Sequence, residues 1–73
     1  MAVSIVARNA RSIIDERGLK QRAVAEKAGF NENQLSALLC GRKTMKDVDI
    51  AAIAEALGVT PNDLFGLDQQ EMN

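Results

Sequence analysis

The chain has 73 residues, room for one small domain and too few for two lobes around a catalytic cleft. Its 9 Lys and Arg against 10 Asp and Glu leave a net charge of −1, which taken alone argues against a nucleic-acid partner. The distribution argues otherwise. Residues 1–46 hold all nine bases (Arg8, Arg11, Arg17, Lys20, Arg22, Lys27, Arg42, Lys43, Lys46) against four acids, a local +5, whereas residues 47–73 hold six acids and no base, a local −6.

There is no His, Trp or Tyr, and one Cys. Without His the commonest general base and metal ligand is missing, and no Gly-rich phosphate loop occurs, so no enzyme, metal site or cofactor is expected. Cys40 has no partner for an internal disulfide, which leaves packing to hold the fold and suits a reducing cytoplasm. Arg8 and Arg11 interrupt the start of the chain, so no signal peptide fits, and no run approaches the ~18 apolar residues of a membrane span. An apolar share of 47% built on Ala, Leu, Ile and Val, with two Phe and one Pro, predicts an all-α fold.

In chain order, Val6, Ala10, Ile13 and Ile14 form one stripe of a helix over residues 4–17, stopped by Gly18. A short second helix covers residues 21–28, with Val24, Ala25 and Ala28 inward, Gly29 after it, and Lys20 as a poor N-cap. The third starts at the cap Asn31, with Gln34 completing a capping box and Phe30 and Leu35 a hydrophobic staple. Its inward residues are Leu35, Leu38 and Leu39, and Gly41 ends it. The fourth begins near Asp47, buries Ile50, Ile53, Ala54 and Leu57, and stops at Gly58. The fifth follows Thr60-Pro61-Asn62-Asp63, a cap with Pro at the first helical position, stapled by Val59 and Leu64. The reading is a compact five-helix domain over residues 1–66 and a short acidic, disordered tail over residues 67–73.

Helices 2 and 3 are separated by Gly29-Phe30-Asn31, the spacing of a helix-turn-helix, although many small bundles contain such a turn. The run from Leu19 to Gly29 adds specificity: Leu19, Gln21, Ala25 and Gly29 stand in the pattern Leu-x-Gln-x-x-x-Ala-x-x-x-Gly. This resembles helix 2 of the lambda-repressor-like family, which includes phage repressor, Cro and XRE-type regulators. Leu35, Ser36, Leu38, Gly41, Arg42 and Lys43 resemble that family's recognition helix and basic loop, and Ile50, Ile53, Ala54, Leu57, Gly58, Val59 and Thr60 its fourth helix and the run beyond. The likeness covers roughly residues 5–66. Two positions depart from it. Ile14 and Leu39 stand where much of the family keeps a buried Arg–Glu pair, a swap that avoids the pair's desolvation cost. Lys20 stands where a capping Ser, Thr or Asn is usual, which gives up about 1 kcal/mol of capping and offers a charge to a phosphate.

With the leucines of helix 3 inward, the helical wheel turns Asn33, Ala37 and Cys40 outward, with Gln34 and Ser36 beside them and Glu32 in the first turn. The resemblance implies double-stranded DNA as partner and makes Glu32, Asn33, Gln34, Ser36 and Ala37 the candidate base readers. Asn33 suits adenine, Glu32 cytosine N4, and Ala37 a thymine methyl. Gln34 has an equal claim to capping and Glu32 to neutralising the helix dipole. Lys20, Gln21, Arg42, Lys43, Thr44 and Lys46 are the candidate phosphate contacts, while Arg22 and Lys27 are doubtful and Arg8 and Arg11 have a plain solvating role open to them. Cys40 reads better as a small filler near the helix end than as a redox switch.

The family usually binds as dimers on two half-sites, so a homodimer on DNA is expected, with Leu64, Phe65 and Leu67 resembling its pairing region. Phe65 and Leu67 can equally close the core. A protein-interaction role, such as an antitoxin or coactivator-type adaptor, is the rival reading, and the acidic C-terminal third suits it. Steep loss of duplex affinity with salt separates the two.

Overall fold

The computed structural model describes residues 4–66, which form α1 (Ile5–Glu16), α2 (Gln21–Ala28), α3 (Glu32–Cys40), α4 (Asp47–Leu57) and α5 (Pro61–Phe65), with no strand among them. The expected elements are all present; α1 is one residue shorter at each end because Ser4 and Arg17 cap it. The tail over residues 67–73, Leu67 included, lies outside the described residues.

Helix starts follow from side-chain lone pairs. The Ser4 hydroxyl accepts from the Ala7 amide at 3.1 Å. At α3 the Asn31 side-chain Oδ1 accepts from the Gln34 amide at 2.8 Å, and the Gln34 Oε1 accepts from the Asn31 amide at 2.9 Å. Thr60 and Asp63 build the same reciprocal pair at α5, at 3.1 and 3.0 Å. Lys20 and Lys46 precede the other two helices, and an ammonium accepts nothing. At α4 the Asp49 carboxylate compensates by accepting from the Lys46 amide at 3.0 Å. At α2 no side chain caps the helix.

Helix α2 ends on Gly29 in the left-handed region, φ +85°, which lets the Phe30 amide reach the Ala25 carbonyl (2.8 Å) and the Gly29 amide the Glu26 carbonyl (3.2 Å). This closure turns the Phe30 ring back onto the core. Val59 repeats the arrangement after α4, its amide bonded to the Ala54 carbonyl at 3.0 Å. After α3 the same backbone bond runs from Arg42 to Ala37, at 3.0 Å, but the side chain that follows the glycine is charged and stays exposed. The chain therefore leaves α3 along the surface.

The core joins Val6, Ala10 and Ile14 of α1 to Val24 and Ala25 of α2, Leu35, Leu38 and Leu39 of α3, Ile53, Ala54 and Leu57 of α4, and Leu64 of α5. Helix α1 packs against α3, α4 and α5, α2 against α3 and α4, and α4 against α5. No polar or charged side chain of the described residues is buried. Ile14 and Leu39 both lie in this apolar cluster, so no ion pair is needed there. Ala7 is buried in addition to the expected stripe, whereas Ile13, Ala28 and Ile50 are only partly covered.

One expectation needs correction. Leu64 is 0% exposed and forms part of the core, so it cannot belong to a pairing surface. A helix of five residues has one fully inward position, and Leu64 fills it. Its neighbour Phe65 remains 38% exposed.

Two distant side chains close helix ends. Asn9 Nδ2 donates to the Leu64 carbonyl at 2.6 Å and Arg17 Nη1 to the Leu57 carbonyl at 2.8 Å, each satisfying a C-terminal carbonyl that has no partner within its helix.

Replacing Gly29 with Ala tests the turn. No atom lies within 4 Å of an added Cβ, so the cost is purely conformational. Gly29→Ala is expected to destabilise the fold by about 1–2 kcal/mol in urea unfolding, with the folded spectrum unchanged.

Candidate nucleic-acid interface

Burial of Leu35, Leu38 and Leu39 fixes the rotation of α3 about its axis. Glu32, Asn33 and Gln34 are consequently exposed, and Ser36 and Ala37 half-buried. The Asn33 side chain bonds to no group of the described residues, so its carboxamide presents both donor and acceptor to an incoming partner. Gln34 is not equivalent. Its oxygen accepts from the Asn31 amide, leaving the Nε2 hydrogens and one oxygen lone pair for other partners. A two-point contact with adenine needs both halves of the amide, and the capping box already engages one lone pair of the oxygen. Glu32 sits in the first turn of α3, where its charge also complements the helix dipole.

The loop after α3 carries Arg42, Lys43, Thr44 and Lys46, all exposed. Arg42 bends back along α3, with Nη2 at 3.4 Å from the Ser36 hydroxyl, which itself lies 4.0 Å from Cys40 Sγ. Thus Arg42, Ser36 and Cys40 form one group at the C-terminal half of α3, with Arg42 and Cys40 exposed and Ser36 half-buried. Lys43 and Thr44 instead line a cavity of about 310 Å³ together with Ser4, Ile5, Val6, Leu38, Gly41, Met45, Ile50 and Phe65. Lys46 is bound through its backbone amide and carbonyl, and its ammonium has no partner among the described residues.

At the other flank, Gln21 is half-buried at the start of α2 and Lys20 is exposed just before it. The missing cap leaves the first amides of α2 open to an anion, and the helix dipole favours one there. Arg22 is partly engaged with Glu26, 3.9 Å away along the same helix. Arg8 and Arg11 are exposed on α1. The bonds of Arg17 and Asn9 to distant carbonyls were not legible in the sequence; their partners lie 40 and 55 residues away and are backbone atoms, which leave no residue-type signal.

Residues 10–70 match the family of the Cro/C1-type HTH DNA-binding domain. The chain belongs to that family. It is a DNA-binding helix-turn-helix domain of the kind found in transcription regulators, with α2 and α3 as the two helices of the motif. The fold is similar to that of a crystal structure of NHTF, a hypothetical transcription factor from Neisseria. The TM-score is 0.78 at 24% sequence identity, over 94% of this chain and 82% of that one. No curated protein matches the sequence. No helix of the described residues is long and apolar enough to cross a membrane.

The split use of Gln34 predicts a separation of stability from binding. Gln34→Ala is expected to lose about 0.5–1 kcal/mol in urea unfolding, whereas Gln34→Glu, which preserves the box, stays within about 0.5 kcal/mol of the parent. Duplex affinity should nevertheless fall in Gln34→Glu, since the outward donor is replaced by a charge that repels phosphate.

Proposed function

We propose that this protein is a sequence-specific transcription regulator that represses by occupying a double-stranded operator with α3 in the major groove. The observation that carries the reading is the rotation of α3. Its three leucines are buried, so Glu32, Asn33, Ser36 and Ala37 are left along the outer side, followed directly by Arg42, Lys43 and Thr44. Base edges are addressed by Asn33 first, with Ser36, Ala37 and Glu32 beside it and Gln34 shared with the cap. Phosphates are addressed by Lys20 and Gln21 at the open end of α2 and by Arg42, Lys43, Thr44 and Lys46 after α3. The uneven charge supports the same orientation, because the acidic C-terminal third repels a backbone docked the wrong way round.

A single α3 spans only a few base pairs, so a homodimer on two half-sites about one helical turn apart supplies the length of site that specificity needs. Binding rather than catalysis is the activity, exercised in the cytoplasm where the operator is reached.

Selection of bound duplexes from a random library tests the whole reading: a two-fold symmetric consensus is expected, and recovery of no consensus would count against it. Arg42→Ala/Lys43→Ala should weaken all duplexes alike and flatten the dependence of log affinity on log salt by up to ~2 units in anisotropy titrations. Asn33→Ala should instead change the preferred sequence and leave the salt slope in place. Unaltered preference would mean that α3 does not present Asn33 to the bases.

A further inference from the structure

The cavity beside α3 has an apolar floor and a charged lip. Ile5, Val6, Leu38, Met45, Ile50 and Phe65 supply the floor, and Lys43 the charge. Ile5 is 53% exposed and Phe65 38%, so the site is an open groove running between the start of α1, the loop after α3 and the end of α5. Nothing among the described residues covers it.

We propose that this groove is the docking site of the chain's own residues 67–73, and that they compete there with DNA for Lys43. Three observations favour this occupant. The chain leaves α5 at Gly66, next to Phe65 on the groove wall, so Leu67 stands two residues from a lining side chain. The six residues from Leu67 to Met72 reach up to about 20 Å if extended, enough to follow a groove of this volume. The segment Leu67-Asp68-Gln69-Gln70-Glu71-Met72-Asn73 also pairs two apolar side chains with two carboxylates and has no base. Leu67 and Met72 match the apolar floor, and Asp68 and Glu71 match the ammonium of Lys43. The flexible thioether of Met72 suits a groove that is irregular in outline.

The docked segment places carboxylates where the proposed reading puts a DNA phosphate, so the competition rests on that reading while the docking does not. Cooperation of groove and charge makes the segment an internal competitor, displaced by a duplex with several phosphate contacts and effective against weak, non-specific ones. Bound phosphate and bound tail exclude one another at Lys43.

Two variants of the 73-residue chain separate the parts. In L67N/M72N the methyl resonances of Ile5, Met45 and Ile50 should shift in a carbon-13 spectrum, with those of Leu35 and Ile53 in the core unmoved. In D68N/E71Q the affinity for a non-specific duplex should rise on the order of fivefold, the lower end of typical site-to-site couplings. A corresponding shift of the Lys43 amide is expected without DNA. Unmoved groove resonances in both variants would overturn the docking. So would groove resonances of the parent that change on tenfold dilution, because a second copy of the chain would then be the occupant. If the groove resonances move as expected and D68N/E71Q binds duplex no better than the parent, the competition is refuted. Should the parent bind no duplex at all, the functional reading fails and the groove resonances alone decide the docking.

Discussion

The structure depends on the burial of one face of α3. Leu35, Leu38 and Leu39 are held by α1 and α2 within a cluster that contains no polar side chain. Nothing else substitutes for this contact, since Cys40 is a free thiol and the described residues hold no cluster of metal ligands. Each such leucine is worth about 2–5 kcal/mol against truncation to Ala, a large share of the total for a chain of this size. The same contact has a functional consequence. A helix pinned along one face has no freedom to rotate, and the direction of Asn33 is therefore set by the leucines behind it.

Around that fixed helix the ends of the elements are treated unequally. Phe30 and Val59 turn back onto the core after their glycines, which brings α3 and α5 close behind α2 and α4. Arg42 takes the corresponding place after α3 and remains outside, so the following loop carries its cations along the surface. An apolar residue at that position would have drawn the loop inward and taken Lys43 and Thr44 with it. Likewise the capless start of α2 is a small loss for the helix, and the amides that Lys20 cannot satisfy remain open.

Much of this was legible in the residues. Asn31 with Gln34 and Thr60 with Asp63 announce helix starts because cap chemistry acts over three residues. The inward faces of α1, α3 and α4 were likewise readable from spacing, because apolar periodicity maps directly onto one side of a helix. The family pattern then joined these segments into one fold. In the sequence Gln34 has an equal claim to capping and to readout; in the structure its oxygen takes part in the cap.

By itself, then, the sequence determined what is local: five helices, their caps, the Gly29 turn and the face of each helix that seeks an apolar neighbour. Only the tertiary structure decided what arises between distant segments. Leu64 and Phe65 are adjacent and both apolar, yet one fills the core and the other borders an open groove, because α5 has a single position that faces α1 and α4. Asn9 and Arg17 look like surface residues of α1 until the carbonyls of Leu64 and Leu57 are brought to them. Short-range order is written in caps and periods of three or four residues, whereas these assignments depend on which backbone atoms arrive from 40 and 55 residues away.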